Sequence, residues 1–161
     1  MVRSAATPRV SNHVATALKN ALTRSMGTPA MYHFTALVTC LAILFYFYTS
    51  IHVSKARARF GVKVPAISGN PDFERVFRAQ MNTLEWMPIF LPLLWLFAYY
   101  VSDRGAAILG IAWCVGRVVY IVGYSKAAAK RELGFIIQGA VCLLLLLGAV
   151  AGIVTALAHN G

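Results

Sequence analysis

Acidic residues are scarce: 161 residues carry five Asp and Glu against 15 Lys and Arg, a formal charge of +10, and the first acid is Asp72. Cysteine is scarce too, with three in all. Cys40, Cys114 and Cys142 fall in three different apolar runs and form no CxxC pair, so they read as small buried apolar residues rather than disulfide or metal ligands. The four histidines, His13, His33, His52 and His159, are scattered without metal-ligand spacing. No Ser/His/Asp or Cys/His set and no phosphate-cradling glycine loop is present, so the expectation is no metal and no chemistry that begins from a protein nucleophile.

What is abundant is apolar sequence. Hydrophobic residues make up 59% of the chain, which excludes an ordinary soluble domain. Four runs, approximately 31–53, 83–101, 105–123 and 134–158, are each long enough to cross a bilayer, for which about 17–25 residues suffice. The expected fold is all-α, a four-helix transmembrane bundle with short connections and no room for a separate soluble domain. Pro88 and Pro92 fall inside span two and are expected to kink it; Gly148 and Gly152, with Ala112 and Gly116, permit close helix approach.

The positive charge does not point to nucleic acid, because it lies beside and between spans with no aromatic-interleaved soluble surface. Anionic headgroups and an acidic small molecule fit better. The loop after span one holds Lys55, Arg57, Arg59, Lys63, Arg75 and Arg78, the loop after span three holds Lys126, Lys130 and Arg131, and the loop between spans two and three has only Asp103 and Arg104. By the positive-inside rule the first and third loops are cytoplasmic and both termini lie on the opposite side. Residues 1–30 form a separate basic extension, amphipathic or disordered. Val10, Val14, Ala17, Leu18, Ala21 and Leu22 recur at helical spacing, which suits a surface helix as well as a transit peptide. The extension is expected to be dispensable, with residues 31–161 as the membrane domain.

Two polar stripes interrupt the apolar pattern. In helix two, Arg75, Arg78, Asn82 and Glu85 fall within an arc of about 80°. In helix three, Arg117, Tyr120, Tyr124 and Arg131 follow at spacings of three, four and seven, and share one face provided the helix continues past Tyr124. An ionisable side chain at membrane depth costs about 2.5–3.5 kcal/mol. Two readings of the stripes stand side by side: a seam pairing helices within the bundle, or a receptor for a small zwitterion with several carboxylates. Guanidiniums, phenols, amides and one deep carboxylate suit a reaction whose nucleophile arrives with a ligand. A thiol of pKa about 8.5 is shifted toward thiolate by a nearby cation. Glutathione fits this inventory: its two carboxylates suit arginines, its ammonium Glu85 and its peptide groups Asn82 and Gln80.

Phe-Glu-Arg-Val-Phe-Arg-Ala-Gln-Met-Asn (73–82), Glu85, Pro88 and Gly-Tyr-Ser-Lys-Ala-Ala-Ala-Lys-Arg (123–131) resemble the membrane-associated proteins in eicosanoid and glutathione metabolism, the MAPEG family. Within it the likeness is nearest to the type 2 microsomal glutathione transferase and leukotriene C synthase branch, and it covers roughly residues 31–158. The resemblance implies a homotrimer of four-helix subunits with glutathione between neighbouring subunits on the cytosolic side. It implies Arg57 and Arg78 as carboxylate partners, Asn82 and Glu85 on the peptide and amino groups, and Gln80, Arg117, Tyr120 and Tyr124 as the rest of the binding shell. Arg131 matches the arginine that stabilises the thiolate. Trp86 stands where an aromatic with a hydroxyl is common, and Ala58 and Val119 stand where leukotriene C synthases have arginines; Arg59 is the candidate replacement for the charge missing at position 58. These departures leave glutathione binding implied but not specificity for leukotriene A.

The implied activity is glutathione transfer to lipophilic electrophiles, with reduction of lipid hydroperoxides as a further expectation. The rival from another class is a non-catalytic lipid-binding scaffold, which has no need of the whole glutathione set. A channel or transporter subunit calls for polar stripes along all spans, and span four offers little beyond Gln138.

Overall fold

The computed structural model describes residues 14–17 and 31–160. The chain divides into two units, Met1–Met31 and Tyr32–Gly161. Of the first unit the description covers Met31 and the helical turn at residues 14–17, so the expectations for residues 1–30 otherwise lie outside the described residues. The second unit contains α1 (His33–Phe60), α2 (Pro71–Tyr100), α3 (Asp103–Lys126), a 3-10 turn (Ala128–Arg131) and α4 (Glu132–Asn160). All four helices are long and apolar enough to cross a membrane.

The helix ends follow local chemistry. Asn70 caps α2, its Oδ1 accepting from the backbone N–H of Asp72 at 2.9 Å and of Phe73 at 3.1 Å, with Pro71 in the first turn. Ser102 caps α3 in the same way, through Gly105 at 3.2 Å. Helix α1 has no acid in its first turn. Its amides are met instead by the Asp103 carboxylate, which accepts from Thr35 at 2.8 Å and Phe34 at 3.2 Å. Asp103, expected only as a loop charge, therefore ties the start of α3 to the start of α1. Helix α1 closes at Gly61, whose φ of +67° suits glycine. Helix α2 runs unbroken through Pro88 and Pro92.

Helices α2 and α3 form the central pair, and α1 and α4 flank it. Phe90 of α2 stacks on Trp113 of α3 with centroids 4.0 Å apart and planes 3° apart, and both are fully buried. Gly116 and Gly134 bring α3 and α4 together. A Cβ at Gly134 would fall on the backbone of Tyr120, and one at Gly116 would lie 2.7 Å from Ile137. Gly148 and Gly152 seat Phe97 and Tyr100 in a similar way. Cys114 and Cys142 are buried as expected, whereas Cys40 is exposed, because its position on α1 turns away from the central pair.

A helix rises about 1.5 Å per residue, so the 30 residues of α2 span about 45 Å against a hydrocarbon core of about 30 Å. The surplus lies at its polar N-terminal end. The up-and-down order sets the C-terminal ends of α1 and α3, the N-terminal ends of α2 and α4 and the 3-10 turn at one end of the bundle. Of the 16 Asp, Glu, Lys and Arg among the described residues, all but Asp103 and Arg104 lie toward that end.

Candidate functional site

Helix α2 contributes Asn82 and Glu85, one turn apart. The Asn82 amide donates to the Glu85 carboxylate at 3.4 Å, and its carbonyl oxygen accepts from Arg117 at 2.9 Å. Arg117 is fully buried on α3, its guanidinium 5.1 Å from the ring centroids of both Trp113 and Tyr120. Its Nε and second terminal nitrogen have no hydrogen-bond partner among the described residues. Tyr120 is buried, and the Tyr124 ring lies 5.7 Å from it. Arg131 stands 5.1 Å over the Tyr124 ring.

Of these groups, Asn82, Tyr120 and Arg131 border one cavity of about 440 Å³, together with Glu132, Phe135 and Ile136, while Glu85, Arg117 and Tyr124 stand beside the lining residues and outside the lining itself. The two sequence stripes thus meet, but the second does so by a different route from the one expected. Helix α3 ends at Lys126, Ala127 is extended, and the 3-10 turn carries Arg131 back over Tyr124. Gly123 makes this return possible, since a Cβ there would strike the Lys130 carbonyl. A continuous helix through position 131 would carry that guanidinium up and away instead.

The remaining predicted residues separate. Arg78 is exposed on α2 one turn before Asn82, outside the cavity lining. Arg75 leaves the stripe to pair with Asp72, the one salt bridge among the described residues. Gln80 points elsewhere, donating to Tyr46 and Ser50 of α1 at 3.3 Å each. Arg57 donates to the Ala66 carbonyl at 2.5 Å and lies 4.8 Å from the Phe73 ring centroid. Within one subunit, Arg57 and Gln80 are not part of the cavity that holds Asn82, Tyr120 and Arg131. Arg59, the candidate replacement charge, borders a different cavity.

Helix α4 supplies three lining residues the sequence reading did not pick out: Glu132, Phe135 and Ile136. Glu132 opens α4, where an acid is ordinary for helix polarity, and Phe135 and Ile136 resemble the rest of an apolar span. The only sequence signal was their closeness to Arg131. Trp86 meets the Phe135 ring edge-on at 5.7 Å and 88°, so its place on the stripe is filled by packing across α2 and α4.

The cavity therefore offers an amide held by a buried cation, a phenol, an arginine and a carboxylate beside an apolar wall, with Glu85 and Tyr124 next to its lining residues. Such a set receives a ligand with charge of both signs and leaves an apolar approach for a second reactant.

The MAPEG family profile matches residues 35–151. Microsomal glutathione S-transferase 2 of Homo sapiens is 44% identical over 115 residues, covering 71% of this chain and 78% of that protein. Leukotriene C4 synthase of Rattus norvegicus is 42% identical over 96 residues, 60% of this chain and 64% of that protein. An uncharacterized protein of Synechocystis sp. is 49% identical over 118 residues, 73% of this chain and 86% of its own length.

Proposed function

The chain belongs to the MAPEG family, and from that premise we propose that it is an integral-membrane glutathione transferase. It binds glutathione in the α2–α3–α4 cavity and transfers it to lipophilic electrophiles. The observation that carries the reading is the convergence of Asn82, Tyr120 and Arg131, from three separate elements, on that one cavity. Relatives named as glutathione S-transferase and leukotriene C4 synthase support it.

In this reading Glu85 receives the glutathione ammonium, Asn82 a peptide group and Arg78 a carboxylate. Tyr120 and Tyr124 complete the shell. Arg117 has no exposed surface and acts through Asn82. Arg131 lies against the thiol. An always-charged guanidinium there favours thiolate over thiol, and its fixed donors hold the sulfur in place. The thiolate then attacks the electrophilic carbon of an apolar substrate entering past Phe135 and Ile136, forming a C–S bond and expelling or protonating the displaced group. With a lipid hydroperoxide, the same thiolate attacks the terminal peroxide oxygen and releases the alcohol. A second glutathione resolves the sulfenic product to the disulfide.

Arg57 and Gln80 enter the same scheme through a second copy. They sit outside their own subunit's cavity, and a homotrimer would set the α1–α2 side of one subunit against the α2–α4 side of the next. The glutathione site faces the cytoplasm and both termini lie opposite, on the distribution of cations between the loops.

The test is titration of glutathione into detergent-purified protein, followed by ultraviolet thiolate absorbance and by conjugation of an apolar aryl halide. Saturable thiolate formation with conjugate is expected. Absence of both, in helical and monodisperse protein, overturns the transferase reading and leaves the lipid-binding scaffold.

A further inference from the structure

Another cavity lies at the same end of the bundle and shares no lining residue with the one around Asn82. Its volume is about 370 Å³, and its walls include His52, Lys55 and Arg59 of α1, Asp72 and Val76 of α2 and Ser125 of α3. A narrow limb of about 20 Å³ adjoins it, with His52, Val76 and Ser125 common to both, and is lined further by Tyr48, Thr49, Ala79, Gln80 and Ile121.

Tyr48, His52, Lys55 and Arg59 recur at spacings of four, three and four, which sets them on one stripe of α1. The Tyr48 and His52 rings stack 6.1 Å apart. At about 1.5 Å per residue, Arg59 lies about 16 Å further along the axis than Tyr48. The groove is therefore mainly aromatic and aliphatic within the span, with Thr49 and Gln80 among its walls, and cationic where α1 leaves it. Its one carboxylate, Asp72, is paired with Arg75, so Lys55 and Arg59 face the cavity without a salt-bridge partner among the described residues. The Ser125 hydroxyl is already given to the Val122 carbonyl at 3.0 Å, which leaves recognition of an anion to the cations.

We propose that this groove binds an anionic phospholipid, with the phosphate diester on Lys55 and Arg59 and one acyl chain lying along Tyr48, Val76 and Ile121. A small soluble anion would leave the apolar limb unused. A second copy engaged through Arg57 meets a different face of α1, since positions 55 and 59 each lie about 200° around the helix from position 57. Anionic headgroups occupy the depth of this cationic end, and each Lys or Arg near them strengthens attraction severalfold.

The test uses the full chain in detergent with equal phosphatidylglycerol and phosphatidylcholine, and reads bound lipid by native mass spectrometry. Preferential retention of phosphatidylglycerol is expected. Lys55→Gln with Arg59→Gln should lower that retention by about ten-fold or more, while Lys63→Gln, outside the cavity, should not. Lys55→Arg with Arg59→Lys should keep it. Ile121→Trp, which fills the apolar limb and leaves both cations, should also reduce it, and this variant decides the matter if the Gln pair fails to fold. Equal retention of the two lipids, indifference to these variants, displacement of the lipid by an equimolar amount of glycerol phosphate, or a cross-link from position 59 to a neighbouring subunit would each overturn the proposal.

Discussion

The buried guanidinium of Arg117 is held by the carboxamide of Asn82 at 2.9 Å, and no carboxylate among the described residues pairs with it. A charge at membrane depth thus rests on one amide and two aromatic rings, and the same amide borders the cavity. Stability and ligand binding are coupled at this contact. Asn82→Ala should cost about 1.5–3 kcal/mol, the range for hydrogen bonds to charged groups, and should lower the thermal midpoint in detergent. Asn82→Leu with Arg117→Met, which removes both polar partners, should recover much of that stability without recovering glutathione binding. Additive losses in the double variant would mean that the two side chains act independently.

Arg78 and Glu85 are assigned to opposite ends of glutathione. Replacing either with Ala should weaken binding by about ten- to a hundred-fold, for one charged hydrogen bond lost. Calorimetric titration of the folded variants measures it, and unchanged affinity in either would remove that residue from the site.

Arg57 and Gln80 point away from the cavity of their own subunit, so their assignment depends on a neighbour. Arg57→Ala and Glu85→Ala subunits, each impaired alone, should regain part of the activity when co-expressed, because mixed assemblies contain some interfaces with both residues intact. Activity no greater than the sum of the two homo-oligomers would place every ligand contact within one chain.

Arg131→Ala should lower turnover with an apolar electrophile by ten-fold or more and raise the apparent pKa of bound glutathione thiol. Each pKa unit corresponds to about 1.4 kcal/mol. The cation favours thiolate, so its removal moves the rising limb of the pH–rate profile to higher pH and the deficit shrinks as pH rises. Arg131→Lys should recover part of the loss. An unmoved profile with parental turnover would make Arg131 a topology signal only.

Gly134→Val should separate α3 from α4, because even a Cβ there overlaps the Tyr120 backbone. Overpacking of this kind costs about 1–3 kcal/mol, and here it would displace Glu132 and Phe135 from the cavity wall. The expected result is a lower thermal midpoint with loss of glutathione binding, and parental values of both would mean that the helices part without consequence.

The amino-acid order alone determined the four apolar spans, because membrane crossing depends on length and hydropathy. It also set the α2 start at Asn70-Pro71, the pairing of cations with one end of the bundle and the two polar stripes, which are properties of helical period. The meeting of Asn82 with Arg117 follows from those stripes once α2 and α3 pack together. Tertiary structure decided the rest. Whether Arg131 reaches Tyr124 depends on a 3-10 turn closing over Gly123, and a periodicity argument assumes a continuous helix. Glu132, Phe135 and Ile136 became cavity walls only because Gly116 and Gly134 admit α4 against α3. Gln80, two residues from Asn82, went to Tyr46 and Ser50 because positions two apart on a helix differ by about 200° and so face different neighbours.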